Sequence, residues 1–277
     1  MTLPTRSPDF MISERLASEI ARAATRVIDA RSVVALTGAG LSVESGIPPF
    51  RGPGGLWTKY GEPPLDGYQR FLRDPKQAWQ DRLSPREPWA RALAETLGTA
   101  KPNAGHHALV ELEALGRCDA VITQNIDDLH RQAGARELIE IHGNHKLLRC
   151  LGCVARFAPG ELAIDPEALP PRCPRCGSVV KVDIVHFGEP IPADVLRRCH
   201  AVVERADCML VVGTSATVYP AAEFPLEVLR RGGSVIEVNP EPSELSDLAL
   251  LSLRGPAGAV LARLVELVAR ARAGSVQ

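Results

Sequence analysis

Residues 33–40 read Val33-Val34-Ala35-Leu36-Thr37-Gly38-Ala39-Gly40, a short β-branched run that stops on a glycine turn. A buried strand followed directly by such a turn opens a nucleotide-binding βα unit. Ahead of it, residues 11–31 set Ile12, Leu16, Ile20, Ala23, Ala24 and Val27 at helical spacing, with charges opposite. Behind it, the apolar runs Ala120–Thr123, Leu138–Ile141, Asp183–Phe187, Met209–Val212 and Val235–Val238 predict buried strands. Helical segments at about Asn103–Leu115, Pro192–Ala206, Ala221–Arg231 and Gly258–Ala271 separate several of them. This alternation predicts an α/β protein, a Rossmann-like doubly wound parallel sheet. Two stretches break the rhythm. Pro48–Pro88, rich in Gly and Pro, predicts a long functional loop with a short helix, and Cys150–Cys176 predicts an inserted module.

Composition narrows the class. In 277 residues, 32 Lys+Arg stand against 33 Asp+Glu, so nothing draws the chain generally toward nucleic acid or an anionic membrane. A hydrophobic share of 45% supports a real core and excludes a disordered chain. No run reaches the roughly 20 apolar residues that span a bilayer. The N-terminus shows no apolar signal core and mixes Asp9, Glu14, Glu19 and Asp29 among its arginines. The expectation is a cytoplasmic protein.

Several polar runs sit where ligands collect in such sheets, at the carboxyl ends of strands. The turn Gly38-Ala39-Gly40 offers backbone amides to a pyrophosphate, although the dinucleotide pattern GxGxxG fails at Val43. It continues through Ser42 to Phe50-Arg51, an aromatic that could cover a reactive centre and a guanidinium that could pair with phosphate. After Ala120–Thr123 come Gln124, Asn125, Asp127 and Asp128, amides and carboxylates suited to ribose and carboxamide or simply to capping the next helix. His142 ends another strand beside Gly143, a candidate general base near neutral pH. His106, His107 and His200 fall in helix-like segments and read as structural or exposed. Gly213-Thr214-Ser215 repeats the strand–glycine–hydroxyl logic, and Asn239 with Glu241 offers a polar pair at a further strand end. The extended run ending in Val185-His186-Phe187-Gly188-Glu189 reads as an internal strand or as an edge that takes up a peptide by strand addition.

Cys150-x2-Cys153 and Cys173-x2-Cys176, 19 residues apart, present four thiols as two knuckles. This pattern predicts one tetrahedral zinc, and with all four ligands sulfur the site is closed to water and structural. Redox dithiols are the competing reading. Cys118, Cys199 and Cys208 lie in or beside predicted elements and read as ordinary buried thiols.

Taken together, GAGLSVESGIPPFRG (38–52), PNAGHHAL (102–109), TQNIDDLH (123–130), HG (142–143), the two CxxC pairs, DIVHFGE (183–189), GTS (213–215) and VNPE (238–241) resemble the sirtuins, NAD-dependent protein deacylases. The order is that of the family, over roughly residues 30–270. The resemblance implies NAD and one structural zinc per chain, with acyl-lysine proteins or peptides as substrate. It assigns His142 as catalytic base, with Asn125 and Asp127 beside it. Gln124, Asn125 and Asp127 would hold the nicotinamide ribose and carboxamide, and Gly38, Ala39, Gly40, Ser42, Phe50 and Arg51 the phosphate turn and cofactor loop. Gly213, Thr214, Ser215, Asn239 and Glu241 would surround the phosphates and adenosine ribose. Val185, His186, Phe187, Gly188, Glu189 and Val218 would flank the acyl-lysine peptide. The implied reaction releases nicotinamide and yields acyl-ADP-ribose. Protein mono-ADP-ribosylation at the same NAD site, a non-enzymatic NAD-sensing module and a hydride-transferring dehydrogenase are the alternatives.

The implied layout has an N-terminal helical extension at 1–30 and a Rossmann-like NAD-binding domain over 31–143 and 182–277. The latter carries an insertion at 48–101, and a zinc-binding module occupies 144–181. The oligomeric state is left open, and a monomer is compatible with this layout. Three positions depart from the family: Val182 stands where Pro is frequent, His186 where an aromatic is usual, and Asp74–Thr99 contains no tyrosine. Without a Tyr-x-x-Arg pair, neutral acyl groups are expected to be favoured over succinyl.

Overall fold

The computed structural model describes residues 10–274. The first nine residues of the expected N-terminal extension and the last three of the chain lie outside the described residues.

In chain order the elements are α1 (Glu14–Asp29), β1 (Val33–Thr37), a 3-10 segment (Ala39–Ser45), α2 (Leu56–Tyr60), α3 (Gly67–Arg73), α4 (Pro75–Leu83), α5 (Pro88–Thr99) and α6 (Ala104–Ala114). There follow β2 (Ala120–Thr123), α7 (Leu129–Ala133), β3 (Leu138–Glu140), β4 (Gly143–Cys150), β5 (Arg156–Phe157) and β6 (Val180–Ile184). The chain closes with α8 (Ala193–Val203), β7 (Cys208–Val212), α9 (Glu223–Arg230), β8 (Ser234–Val238), β9 (Leu251–Leu253) and α10 (Ala257–Gly274).

Six strands form one sheet in the order β3-β2-β1-β7-β8-β9, and every pairing is parallel. This is the doubly wound arrangement, with ligand positions expected above the strand ends where the winding reverses beside β1. All five residues of β1 are buried, because the strand is covered on both sides. Val33 and Ala35 join a core with α1, α6 and α10, whereas Val34 and Leu36 join a second core with α8 and α9. The period of two in the strand thus divides one apolar run between two layers.

Three expectations change. The run Asp183–Phe187 is not a strand of the main sheet. Its first two residues end β6, which pairs antiparallel with β4 in a separate small sheet, β5-β4-β6, and residues 185–189 turn. Alternating charges explain this: Lys181 and Asp183 are buried in β6 only because ion partners reach them from the small sheet and the turn. Pro48–Pro88 is largely helical rather than a loop. Pro75 and Pro88 stand at the first turns of α4 and α5, where a missing amide proton costs nothing, and Asp74 caps α4 by accepting from Gln77 N. Finally, β9 closes the sheet edge with only three residues, too few for any periodicity to reveal.

Candidate functional site

The strand ends of β1 and β7 meet through two glycines. A Cβ on Gly40 would stand 2.7 Å from Gly213 Cα, and one on Gly213, whose φ is 61°, would stand 2.3 Å from Leu41 N. Gly38 N donates to Val212 O at 2.9 Å and Gly40 N to Gly213 O at 2.8 Å. The amides that the sequence offers to a pyrophosphate are therefore taken by main chain at both glycines. The glycines serve first to bring the two turns together.

Around this seam lies a buried polar network. Ser42 Oγ donates to Asp127 Oδ2 at 2.7 Å, and Asn125 Nδ2 donates to Gly38 O at 3.0 Å and to Ser42 Oγ at 3.1 Å. Asp127 Oδ1 accepts from Leu129 N, so this carboxylate caps α7 and holds Ser42 at once. Burial raises the Asp127 carboxyl above its ordinary range, and the Ser42 hydrogen bond works against that shift. Asp128 takes the left-handed φ of 69° and accepts from Asn144 and Lys146. Gln124 Nε2 donates to Thr214 Oγ1 at 3.0 Å, and Asn239 Nδ2 to Thr214 O at 3.1 Å. One hydrogen-bonded line thus joins the ends of β2, β7 and β8.

His142 follows β3 and precedes Gly143, whose φ is 80° and whose Cβ would overlap Asp183 O at 1.8 Å. Only glycine permits that crossing of β4 and β6, and the crossing fixes the half-buried imidazole. Its Nδ1 lies 3.1 Å from Gln124 O, and its Nε2 makes no protein hydrogen bond among the described residues. Burial holds the imidazole below its usual pKa, with the Gln124 carbonyl acting the other way. At neutral pH the ring is a neutral base with its lone pair at Nε2.

Phe50 and Arg51 sit on an aromatic cluster. Phe50 packs on Trp57 at 5.0 Å, the Arg51 guanidinium lies 4.4 Å above the Trp57 ring, and Trp57 meets Phe187 at 5.8 Å. Arg51 also bonds Glu62 and Thr217 Oγ1, the latter in turn hydrogen-bonded to Ser215. Phe50 and Arg51 are thereby connected to the Gly213–Ser215 turn through Thr217 and to the Val185–Glu189 turn through Trp57. Glu241 is exposed, and its backbone oxygen accepts from Arg254. Val218 is half-buried in the segment after Ser215.

The Val185–Glu189 turn is anchored from below. Val185 N donates to His142 O. Glu189, although proposed by sequence to face substrate, has its carboxylate fully engaged by Arg149, Lys181 Nζ and His186 N. Burial opposes its charge, yet hydrogen bonds from His186 and the nearby Lys181 hold its pKa down to about 2. His186 stacks on Phe71 of α3 at 5.9 Å, filling the place of the expected aromatic. In α4, Trp79 Nε1 donates to Val180 O, and Arg82 to His145 O. That arginine lines a groove of about 540 Å³ between α4, α5 and the small sheet, and among the described residues it has no carboxylate partner.

The four predicted metal cysteines come together. Their sulfur atoms all lie within 4.8 Å of one another, with Cys150–Cys176 at 3.4 Å and Cys153–Cys173 at 3.7 Å. Tetrahedral zinc with bonds of about 2.3 Å sets its thiolates roughly 3.8 Å apart. The set fits, and no carboxylate or water position is needed to complete it. By contrast Cys118 and Cys199 are buried, and burial pushes both thiols up to about 12; Cys208 is buried too.

Sequence reasoning passed over Asn103, Trp57, Thr217 and Arg254. Asn103 Nδ2 donates to Leu41 O and Ser45 Oγ, pinning the 3-10 segment. The signal for Asn103 was its place in the PNAG run. For the others the informative contacts are distant in sequence: Trp57 with Phe187, Thr217 with Arg51, and Arg254 with Asn239 O. His106, read as structural or exposed, is fully buried against His130 at 4.9 Å.

The Sir2 family pattern matches residues 38–220. The NAD-dependent protein deacylase 1 of Archaeoglobus fulgidus is 45% identical over 246 residues, 88% of this chain and 96% of that protein. The NAD-dependent protein deacylase of Pyrococcus abyssi is 46% identical over 255 residues, 91% of this chain and 98% of that protein. A solved Sir2 homologue–NAD complex superposes with a TM-score of 0.75 at 43% identity, covering 96% of this chain and 97% of that one. A Sir2 variant with a deacetylated p53 peptide and 3'-O-acetyl ADP-ribose gives 0.74 at 35% identity, covering 89% and 97%. By the family pattern over residues 38–220 and by relatives of about 45% identity over most of its length, the chain belongs to the Sir2 family.

Proposed function

We propose that this chain is an NAD-dependent protein-lysine deacylase, which releases nicotinamide and leaves the acyl group on ADP-ribose. The observation that carries the reading is the His142 imidazole, fixed through Nδ1 and free at Nε2, beside the Asn125–Ser42–Asp127 network. A long ligand with a diphosphate at its middle fits the line of polar groups from β2 through the β1/β7 seam to β8.

Bound NAD supplies an electrophilic ribose carbon with nicotinamide as its leaving group. The chain's residues do the rest. Asn125 and Asp127, held rigid by Ser42 and Gly38, orient the ribose and carboxamide, and that positioning is worth several orders of magnitude in rate. Phe50, packed on Trp57, screens the carbon from water. The turn Val185–Phe187 on one side and Val218 on the other receive the acyl-lysine peptide as an added strand. His142 Nε2 removes a proton from a ribose hydroxyl, so that the oxygen can take up the acyl carbon, and Nδ1 keeps its own proton on Gln124 O. The four thiolates of Cys150, Cys153, Cys173 and Cys176 hold zinc as a clasp on the small sheet, remote from the chemistry in role. Among the described residues no helix is long and apolar enough to cross a membrane. We place the activity in the cytoplasm, where the thiols stay reduced.

Incubation of the protein with NAD and an acetyl-lysine peptide tests the reading. One nicotinamide released per peptide lightened by an acetyl group is the expected result. A protein made heavier by ADP-ribose with the peptide unchanged, or the appearance of NADH absorbance, would overturn it.

A further inference from the structure

Glu237, in the penultimate position of β8, is a charged residue buried to 0% exposure and lies outside the groups used above. Its carboxylate accepts from the hydroxyls of Ser243, Ser246 and Ser252, and pairs with Arg254 Nη2 at 2.8 Å. Arg254 follows β9 and spends its remaining donors on the same segment. Nη1 reaches Asn239 O at 3.3 Å and Glu241 O at 3.0 Å, and Nη2 reaches Ser246 Oγ at 2.7 Å. One planar fork therefore ties a buried carboxylate to both ends of the turn 239–246. A lysine, with a single point of charge, does not reproduce this geometry.

This turn leaves the strand end farthest from His142 along the β2-β1-β7-β8 line. NAD is elongated, with its diphosphate between two nucleosides. If nicotinamide lies beside His142 and the diphosphate over the β1/β7 seam, the adenosine lies over β8. We infer that Arg254, held by Glu237, is the positioning residue that shapes the Asn239–Ser246 turn to receive the adenosine end of NAD. It touches neither the reacting atoms nor the peptide. The inference rests on the NAD reading given above.

The test compares wild type, Arg254→Met and Arg254→Lys as full chains with zinc bound. The readouts are ADP-ribose affinity by calorimetry, and KM for NAD against KM for one acetyl-lysine peptide. In Arg254→Met, the ADP-ribose Kd and the NAD KM should rise at least tenfold, while the peptide KM moves less than twofold. Arg254→Lys keeps the charge opposite Glu237 and so protects folding, but should still lose at least threefold in ADP-ribose affinity. Wild-type ADP-ribose affinity in the lysine variant would overturn the inference. So would NAD and peptide KM rising together in step with a lower melting temperature, since that marks a general structural role. A wild-type protein that binds no ADP-ribose would instead overturn the NAD reading itself.

Discussion

His142 Nδ1 sits 3.1 Å from the main-chain oxygen of Gln124, whose own side chain donates to Thr214. A carbonyl accepts and never donates, so this contact fixes the tautomer: the proton is on Nδ1 and the lone pair on Nε2. The residue that orients the imidazole therefore also links it to the β7 turn, so both belong to one connected hydrogen-bonded framework.

Ser42 is the hinge of the polar network, because it donates to Asp127 and accepts from Asn125. Ser42→Ala leaves a buried carboxylate oxygen and a buried amide proton unpartnered, a loss of about 1–3 kcal/mol. We expect urea unfolding to show that loss of stability, and kcat/KM to fall at least tenfold as Asn125 and Asp127 lose their register. Unchanged kcat/KM would show that the network does not position substrate.

Elemental analysis should find one zinc per chain. Cys173→Ser should misfold or aggregate, because structural zinc contributes of order 10 kcal/mol to the folding of small sites. A soluble, fully stable Cys173→Ser protein lacking only activity would contradict the structural assignment.

Acid should weaken the fold in a definite window. Burial takes the pKa of His130 down to about 4, and lowers that of His106 as well. Both are neutral in the fold, whereas unfolded histidines protonate near 6.5. The unfolded state therefore gains protons first, so stability present above pH 6.5 is lost progressively down to about 4. For His130 alone the full loss is on the order of 3 kcal/mol. Urea midpoints between pH 7.5 and 5.5 check this. A flat profile would contradict it.

Glu189 is held by Arg149, Lys181 and His186 N at 2% side-chain exposure. Removing its charge in Glu189→Gln leaves two buried cations short of a partner, which typically costs about 3–5 kcal/mol. The Val185–Phe187 turn should loosen with it, so KM for the peptide should rise more than KM for NAD. Because the pKa of Glu189 is depressed to about 2, its contribution is complete above pH 4.5 and fades only toward pH 2. A variant as stable as wild type would show that the ion network is dispensable.

Much of the site was legible in the sequence, for a physical reason. Val33–Thr37, Cys208–Val212 and Ser234–Val238 are short runs buried on both faces or nearly so, and their polar residues follow within a few positions at the strand ends. Gln124, Asn125, Asp127 and His142 are thus local signals. The cysteine knuckles are local as well. What stayed hidden depends on distant partners. Glu237 and Arg254 are 17 positions apart and were not singled out, because their pairing exists only once the sheet brings β8 beside β9. Glu189 was placed beside the peptide, and its burial between Arg149 and Lys181 stayed hidden because those partners reach it only across the small sheet. Pro75 and Pro88 read as breaks in a loop, whereas in the fold they start helices.

The central claim is that His142 acts as the base in acyl transfer from lysine to ADP-ribose. It is tested most directly by His142→Ala, measuring peptide deacylation together with NAD affinity and melting temperature. Loss of a general base should lower kcat by about 10²–10⁴-fold, while the protein melts as wild type does and binds NAD within a few-fold. A folded His142→Ala protein that keeps more than half of the wild-type kcat would contradict the account.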